Sequence, residues 1–174
     1  MSNLKVGILI YPKSEELDWA GPFEVFSMAA MGKNLDVFTI AETTDPVRCA
    51  KGLRVLPDFD FETAPVLVDW LAAAAGPCTW VTSVCTGSAL LYRAGLAAGC
   101  EITTHWGYVE ALRELAPEAK VRDDVRFVRD GRVVTSAGVS AGIDMSLWLV
   151  GELFGADHAR HTRRWMQYDP EPPY

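Results

Sequence analysis

Histidine is scarce in this chain: only His105, His158 and His161 occur in 174 residues. They are too dispersed to form a metal site. His158 and His161 sit three apart among Arg160, Arg163 and Arg164, which reads as a solvated basic helix face. The four cysteines, Cys49, Cys78, Cys85 and Cys100, make no CxxC pair and no zinc spacing. No GxGxxG run occurs either, because Ala141 interrupts the spacing in Gly138-Val139-Ser140-Ala141-Gly142. No metal and no cofactor are therefore expected. Basic residues are outnumbered, 16 against 23 acidic ones, and the net charge of −7 argues against a nucleic-acid partner. No signal peptide is apparent, since Leu4-Lys5-Val6-Gly7-Ile8 leads straight into a strand; with unpaired cysteines this points to a cytoplasmic location. One uncharged stretch, Trp70 to Tyr92, is long enough to mimic a membrane span. Gly76-Pro77 breaks it and Thr, Ser and Cys crowd it, so it reads as helix, strand and helix in a soluble core, with no membrane partner.

What remains is one domain of ordinary globular composition, long enough to bury a core without staples. Lys5–Tyr11 is a continuous apolar run closed by Pro12, the pattern of a parallel strand buried on both faces. Ser14 can cap a helix running to about Ala30, with Glu15 and Glu16 suiting the positive end of its dipole. Leu35–Ala41 reads as a second strand, and Arg48–Leu56 as a small hairpin around Gly52. Further along come a helix over Val66–Ala75, a strand over Trp80–Val84, a helix over Gly87–Ala94, a short strand over Glu101–Thr104 and a helix from Trp106 to Leu115. Asp130-Gly131 marks a hairpin between Val125–Arg129 and Arg132–Thr135. Helices over Ser140–Leu153 and Ala156–Gln167 complete the chain before a Pro-rich end. Strands alternating with helices define an α/β class with a mostly parallel sheet.

The sharpest local signal is Thr82-Ser83-Val84-Cys85-Thr86-Gly87-Ser88. An apolar strand meets a single cysteine, then small residues, then a helix. That is the layout of a nucleophile elbow, a tight turn that exposes the side chain at the C-terminal edge of the sheet. Small neighbours suit the crowded turn, and the free N–H groups of a helix start favour a thiolate. A buried structural cysteine fits the same spacing, and it is the reading for Cys49, Cys78 and Cys100.

A second candidate is Asp18, in Glu15-Glu16-Leu17-Asp18-Trp19-Ala20-Gly21-Pro22. An acid in apolar company tends to have a raised pKa and can shuttle a proton. A surface acid at a helix start is the alternative. In an α/β sheet the loops after the strands gather at one edge, which would bring Asp18 near Cys85.

These two segments, together with Thr103-Thr104-His105-Trp106, Val128-Arg129-Asp130-Gly131, Thr135–Asp144 and Gln167-Tyr168-Asp169-Pro170, resemble the class I glutamine-amidotransferase-like superfamily. That superfamily holds the PfpI-type proteases and the parkinsonism-associated deglycase. The chain looks most like its isocyanide hydratase branch, and the matching pieces run in order along nearly the whole length. The resemblance implies a flavodoxin-like three-layer sandwich with a mostly parallel central sheet. It implies Cys85 as nucleophile, Asp18 as the acid beside it and Thr86 assisting. On the residues themselves, Gly138 and Val139 are read into the pocket wall, Gly21 allows close approach of backbone, and Trp19, Trp106 and Trp148 could line an apolar pocket, with core packing the alternative for each. The resemblance also implies a small-molecule substrate, an isocyanide hydrated to an N-substituted formamide, and a homodimer.

His105 matches a histidine near the nucleophile in the deglycase branch; its readings are an auxiliary acid or base, or a cap on the next helix. Thr86 stands where the protease-like branch has histidine, which disfavours peptidase chemistry. Other superfamily activities remain alternatives: methylglyoxal conversion to lactate, or a redox-sensing regulatory domain. A further departure is that Pro65 runs directly into Val66-Leu67-Val68-Asp69-Trp70. The family places a strand ending in a Gly-Gly turn there. Its absence is either a true deletion or a segment missing from the chain as written, and the fit of the remainder favours the second.

Overall fold

A computed structural model describes residues 3–61 and 67–170. The first strand, β1 (Leu4–Leu9), is followed by α1 (Glu16–Ala29) and then β2 (Leu35–Ala41), which pairs in parallel with β1. A two-residue hairpin, β3 (Val47–Arg48) and β4 (Arg54–Val55), turns around Gly52, whose φ of 102° favours glycine. The short β5 (Phe59–Asp60) adds to the free edge of β2, giving the order β1-β2-β5.

After α2 (Leu67–Ala74), β6 (Val81–Val84) leads into α3 (Gly87–Arg93). Then come β7 (Glu101–Thr103), a 3₁₀ turn (Trp106–Tyr108), α4 (Val109–Leu115) and β8 (Lys120–Arg122), the last parallel to β7. β9 (Phe127–Asp130) and β10 (Val133–Ser136) form the expected hairpin around Gly131, and β10 pairs in parallel with β6. Helices α5 (Ala141–Phe154) and α6 (Ala156–Trp165) follow, separated by Gly155 with a φ of 91°.

Two helical layers flank the strands, each with its own core. Val25 and Phe26 of α1 and Leu149 and Val150 of α5 pack with Leu35, while Leu91, Ile102 and Leu112 anchor the layer that holds α3 and α4. Each such fully buried side chain stabilises the fold by about 1.5–3 kcal/mol. Where β7 meets the hairpin, side chains hold it: the Glu101 N–H donates to Asp130 Oδ2 at 2.8 Å and the Thr103 N–H to Thr135 Oγ1 at 2.7 Å.

Several expectations need correction. Ser14 does not cap α1; it is buried, its hydroxyl faces Cys49 Sγ at 3.9 Å, and Glu15 takes the cap position without a side-chain bond. β1 is not buried throughout, since Lys5 and Gly7 are exposed. The ladder is also interrupted: among the described residues nothing pairs with the second edge of β1 or of β6. The Pro65–Val66 junction lies outside the described residues. The uncharged stretch from Trp70 to Tyr92 falls across α2, β6 and α3, and no described helix is long and apolar enough to cross a membrane.

Candidate active site

Cys85 follows β6 directly and takes a φ of 57°, a left-handed conformation that is strained for any residue with a Cβ. The surroundings hold it there. Its N–H donates to Ser136 O and Ala137 O at 3.2 Å, and its carbonyl accepts the hydroxyls of Thr104 at 2.9 Å and Ser88 at 3.2 Å. The nearby amides of Thr86 and Val139 favour the ionised sulfur. The elbow expected from sequence is therefore present, built by backbone strain that a hydrogen-bond clamp offsets.

Asp18 comes from the first turn of α1. Two glycines set where it lies. A Cβ on Gly21 would sit 2.9 Å from Ile143 Cγ1, and one on Gly142 would sit 2.9 Å from Val84 Cγ2. Both contacts require glycine, and they let α5 settle close against α1 and β6 at once. Asp18 Oδ1 accepts the N–H of Val139 at 3.1 Å, just before α5. Val139 is itself left-handed, with a φ of 49°.

The acid and the thiol face each other. Burial, followed by the negative charge of Asp18, pushes the Cys85 thiol up to about 11, while the Thr86 and Val139 amides pull against that rise. Asp18 is also raised, chiefly by burial, with the hydrogen bonds from Cys85 and Val139 opposing. The helix start does pull the thiol down, through the Thr86 amide, but the net shift is upward, not downward as expected. Helix α3 has only seven residues, and its influence is outweighed by a carboxylate and a half-buried site. Burial and each other's proximity thus act on the two groups together, and both are shifted towards keeping their protons.

The other expected residues are distributed as follows. Thr86 is exposed and contributes its amide. His105 caps the 3₁₀ turn, its Nδ1 accepting the Gly107 N–H at 3.1 Å, so its neutral form carries the proton on Nε2. Its ring also lies over Gly138, where a Cβ would come within 2.2 Å of His105 Cδ2, and its charge favours ionised Asp18. The cap and the place beside the acid thus belong to one residue. Trp19 lines a cavity of about 320 Å³ that Asp18 also borders; Gly21 belongs to the α1–α5 contact instead. Trp106 turns outward and is 82% exposed.

Two residues beside Cys85 and Asp18 escaped the sequence reading. Tyr11 borders the cavity, and its hydroxyl is raised by burial and then by the charges of Asp18 and Cys85. Its position just past the C-terminal end of β1, the edge where sites gather, was the available signal. Thr104, which holds the Cys85 carbonyl, lies in a segment that carries the family resemblance, but nothing in the sequence pointed to that bond.

An α/β domain with a cysteine elbow and a facing carboxyl defines a class of cysteine-centred proteins. The chain belongs to the DJ-1/PfpI family, whose pattern matches residues 60–152. It is 35% identical over 191 residues to the isonitrile hydratase of Pseudomonas putida, covering 98% of this chain and 81% of that protein. Among solved structures, a ThiJ/PfpI family protein from Pseudomonas syringae superposes with a TM-score of 0.89 at 28% identity, over 100% of this chain and 78% of that one. A stretch of 91 residues, 52% of this chain, is 36% identical to the transcriptional regulator CdhR of Pseudomonas aeruginosa, of which it covers 27%.

Proposed function

We propose that the protein hydrates an isocyanide to an N-substituted formamide, with Cys85 as nucleophile and Asp18 as proton carrier. The observation that carries this reading is the pairing of Asp18 with Cys85, a carboxyl placed to exchange a proton with the thiol beside it. The near-full-length likeness to an isonitrile hydratase supports the substrate class, an isonitrile being an isocyanide.

The chemistry follows from the proton inventory. The terminal carbon of R–N≡C is electrophilic and suits a soft sulfur. As sulfur bonds to that carbon, Asp18 takes the thiol proton and returns it to the same carbon, leaving a thioimidate, R–N=CH–S–Cys85. Water then adds to the carbon, a proton passes to nitrogen, and the C–S bond breaks to release R–NH–CHO and the thiol. The sum is one isocyanide and one water giving one formamide, with no oxidant or cofactor required. A raised Asp18 suits both halves, because the same group must accept and donate near neutral pH. The half-buried site keeps solvent from protonating the nascent carbanion early.

The test is product analysis with n-butyl isocyanide. N-butylformamide should form with the native protein and be lost in Cys85→Ala and Asp18→Asn. A fully active Cys85→Ala variant would overturn the mechanism. The likeness to a regulator over half of the chain favours a second, non-catalytic reading, and absence of formamide from the native protein would select it.

A further inference from the structure

We infer that Arg126 and Asp144, fastened by Tyr168, are positioning residues for the acid: together they hold the left-handed peptide at Val139 so that its N–H stays on Asp18. None of the three lines the cavity that Asp18 borders. Their effect on turnover rests on the proposed role of Asp18 as proton carrier; their effect on the sulfur does not.

Backbone strain shows where such help is needed. Four non-glycine residues among those described are left-handed: Lys13, Cys85, Val139 and Gln167, with φ of 68°, 57°, 49° and 50°. Val139 is the β-branched one, for which this region is least tolerated, and such a conformation persists only where the surroundings over-determine it. On the side of the sulfur, the Val139 N–H donates to Asp18 Oδ1 at 3.1 Å and Ala137 O accepts the Cys85 N–H at 3.2 Å. Those bonds alone would leave the acid dependent on a strained segment and the segment dependent on the acid.

The other side supplies an independent hold. The carbonyl of Arg126, just before β9, accepts the Ala137 N–H at 2.8 Å. Its guanidinium donates from Nε to Asp144 Oδ2 at 2.6 Å and from a terminal nitrogen to Ser140 Oγ at 3.3 Å. One residue thus grips the segment at 137 and at 140, on either side of Val139, and grips the first turn of α5 as well. An exposed ion pair of this kind adds little stability by itself. What the planar guanidinium contributes is direction, because its donors fix both partners at once.

The second oxygen of Asp144 is also occupied. Asp144 Oδ1 accepts the Tyr168 hydroxyl at 2.9 Å. Tyr168 is brought there by the turn that ends α6. The Tyr168 N–H donates to Arg163 O and the Gln167 N–H to Arg164 O, both at 3.1 Å, with Gln167 left-handed between them. Glycine is the usual residue at that point of such a turn. Here a glutamine takes the strain, and the next side chain reaches Asp144. Two strained residues, Val139 and Gln167, therefore meet through one carboxylate, and the segment after α6 is tied to the loop beside the sulfur.

Asp144→Asn and Tyr168→Phe test the assignment, each with readouts that a purely structural contact would leave alone. Amide exchange at Val139 should rise by about tenfold in Asp144→Asn relative to Val150, deep in α5. Alkylation of Cys85 by iodoacetamide at pH 9, followed on its peptide, should slow by about threefold, because the Val139 amide that favours the ionised sulfur is no longer held. That sign is opposite to the effect of removing the Asp18 charge. Tyr168→Phe deletes only a hydroxyl, so it carries the same readouts, with smaller changes of the same sign, should Asp144→Asn fail to fold. With n-butyl isocyanide, kcat should fall and KM should stay near the native value, since none of the three residues lines the cavity. Val139 exchanging no faster relative to Val150, or Cys85 alkylated at an unchanged or higher rate in a folded variant, would overturn the proposal. Absence of formamide from the native protein would remove the reaction alone, and exchange and alkylation would still decide the positioning role.

Discussion

Asp18 and Val139 are 121 positions apart in the chain, yet Asp18 Oδ1 accepts the Val139 N–H at 3.1 Å. That bond ties the start of α1 to the loop that opens α5. The same carboxyl also raises the Cys85 thiol beside it, so one acid touches both the backbone and the ionisation of the sulfur.

That effect is measurable. Asp18→Asn removes the negative charge and the hydrogen bond that, after burial, hold the thiol high. The thiol pKa should therefore fall, and alkylation by iodoacetamide at pH 8 should speed up by about tenfold for each unit of fall. Formamide production should fall in the same variant, because the proton carrier is gone. Equal alkylation profiles in the two proteins would show that Asp18 does not hold the thiol.

Stability should depend on pH in two windows. Asp18 has a folded pKa above its ordinary 3.8, so the folded state binds that proton more tightly. The stabilisation is present at low pH and is lost as pH rises through the folded pKa. Cys85 behaves alike at higher pH, its contribution being complete below 9.0 and lost towards about 11. Urea unfolding at successive pH values should show Asp18→Asn gaining on the native protein through the acid window. Cys85→Ala should gain on it through the alkaline one.

How far sequence reaches is clear from these residues. Cys85 was legible because an elbow is local: an apolar strand, small residues and a helix start, all contiguous. The Asp18–Cys85 contact was legible from topology, because parallel strands gather their C-terminal loops. The ionisation of the pair was not. Its direction depends on burial and on a charge from another element, and the local cue, a helix start, pointed the opposite way. Thr104 and the Gly21–Ile143 contact were likewise invisible, since each is defined by a partner distant in sequence.

Gly138→Ala should destabilise the protein by about 1–3 kcal/mol, because the new methyl would meet the His105 ring. His105→Ala alone should cost about 1 kcal/mol through the lost cap. In the double variant the alanine at 138 finds the ring gone, so the cycle should show a coupling of about 1 kcal/mol or more. Additive effects would remove His105 from contact with that loop.

Thr104→Val keeps the shape of a buried side chain and deletes its bond to the Cys85 carbonyl. The expected loss is about 1 kcal/mol of stability by urea unfolding. A larger fractional fall should appear in formamide production, because the strained turn that aims the sulfur is loosened. Unchanged activity with lowered stability would assign the hydroxyl to folding alone.

The most direct test of the account is to catch the covalent step. The native protein is mixed with n-butyl isocyanide, quenched within one turnover, and digested for mass analysis. The account predicts a transient gain equal to the whole mass of the isocyanide on the peptide bearing Cys85, decaying as N-butylformamide appears. Formamide formed at the native rate with no adduct on Cys85, or with the adduct on another cysteine, would contradict it.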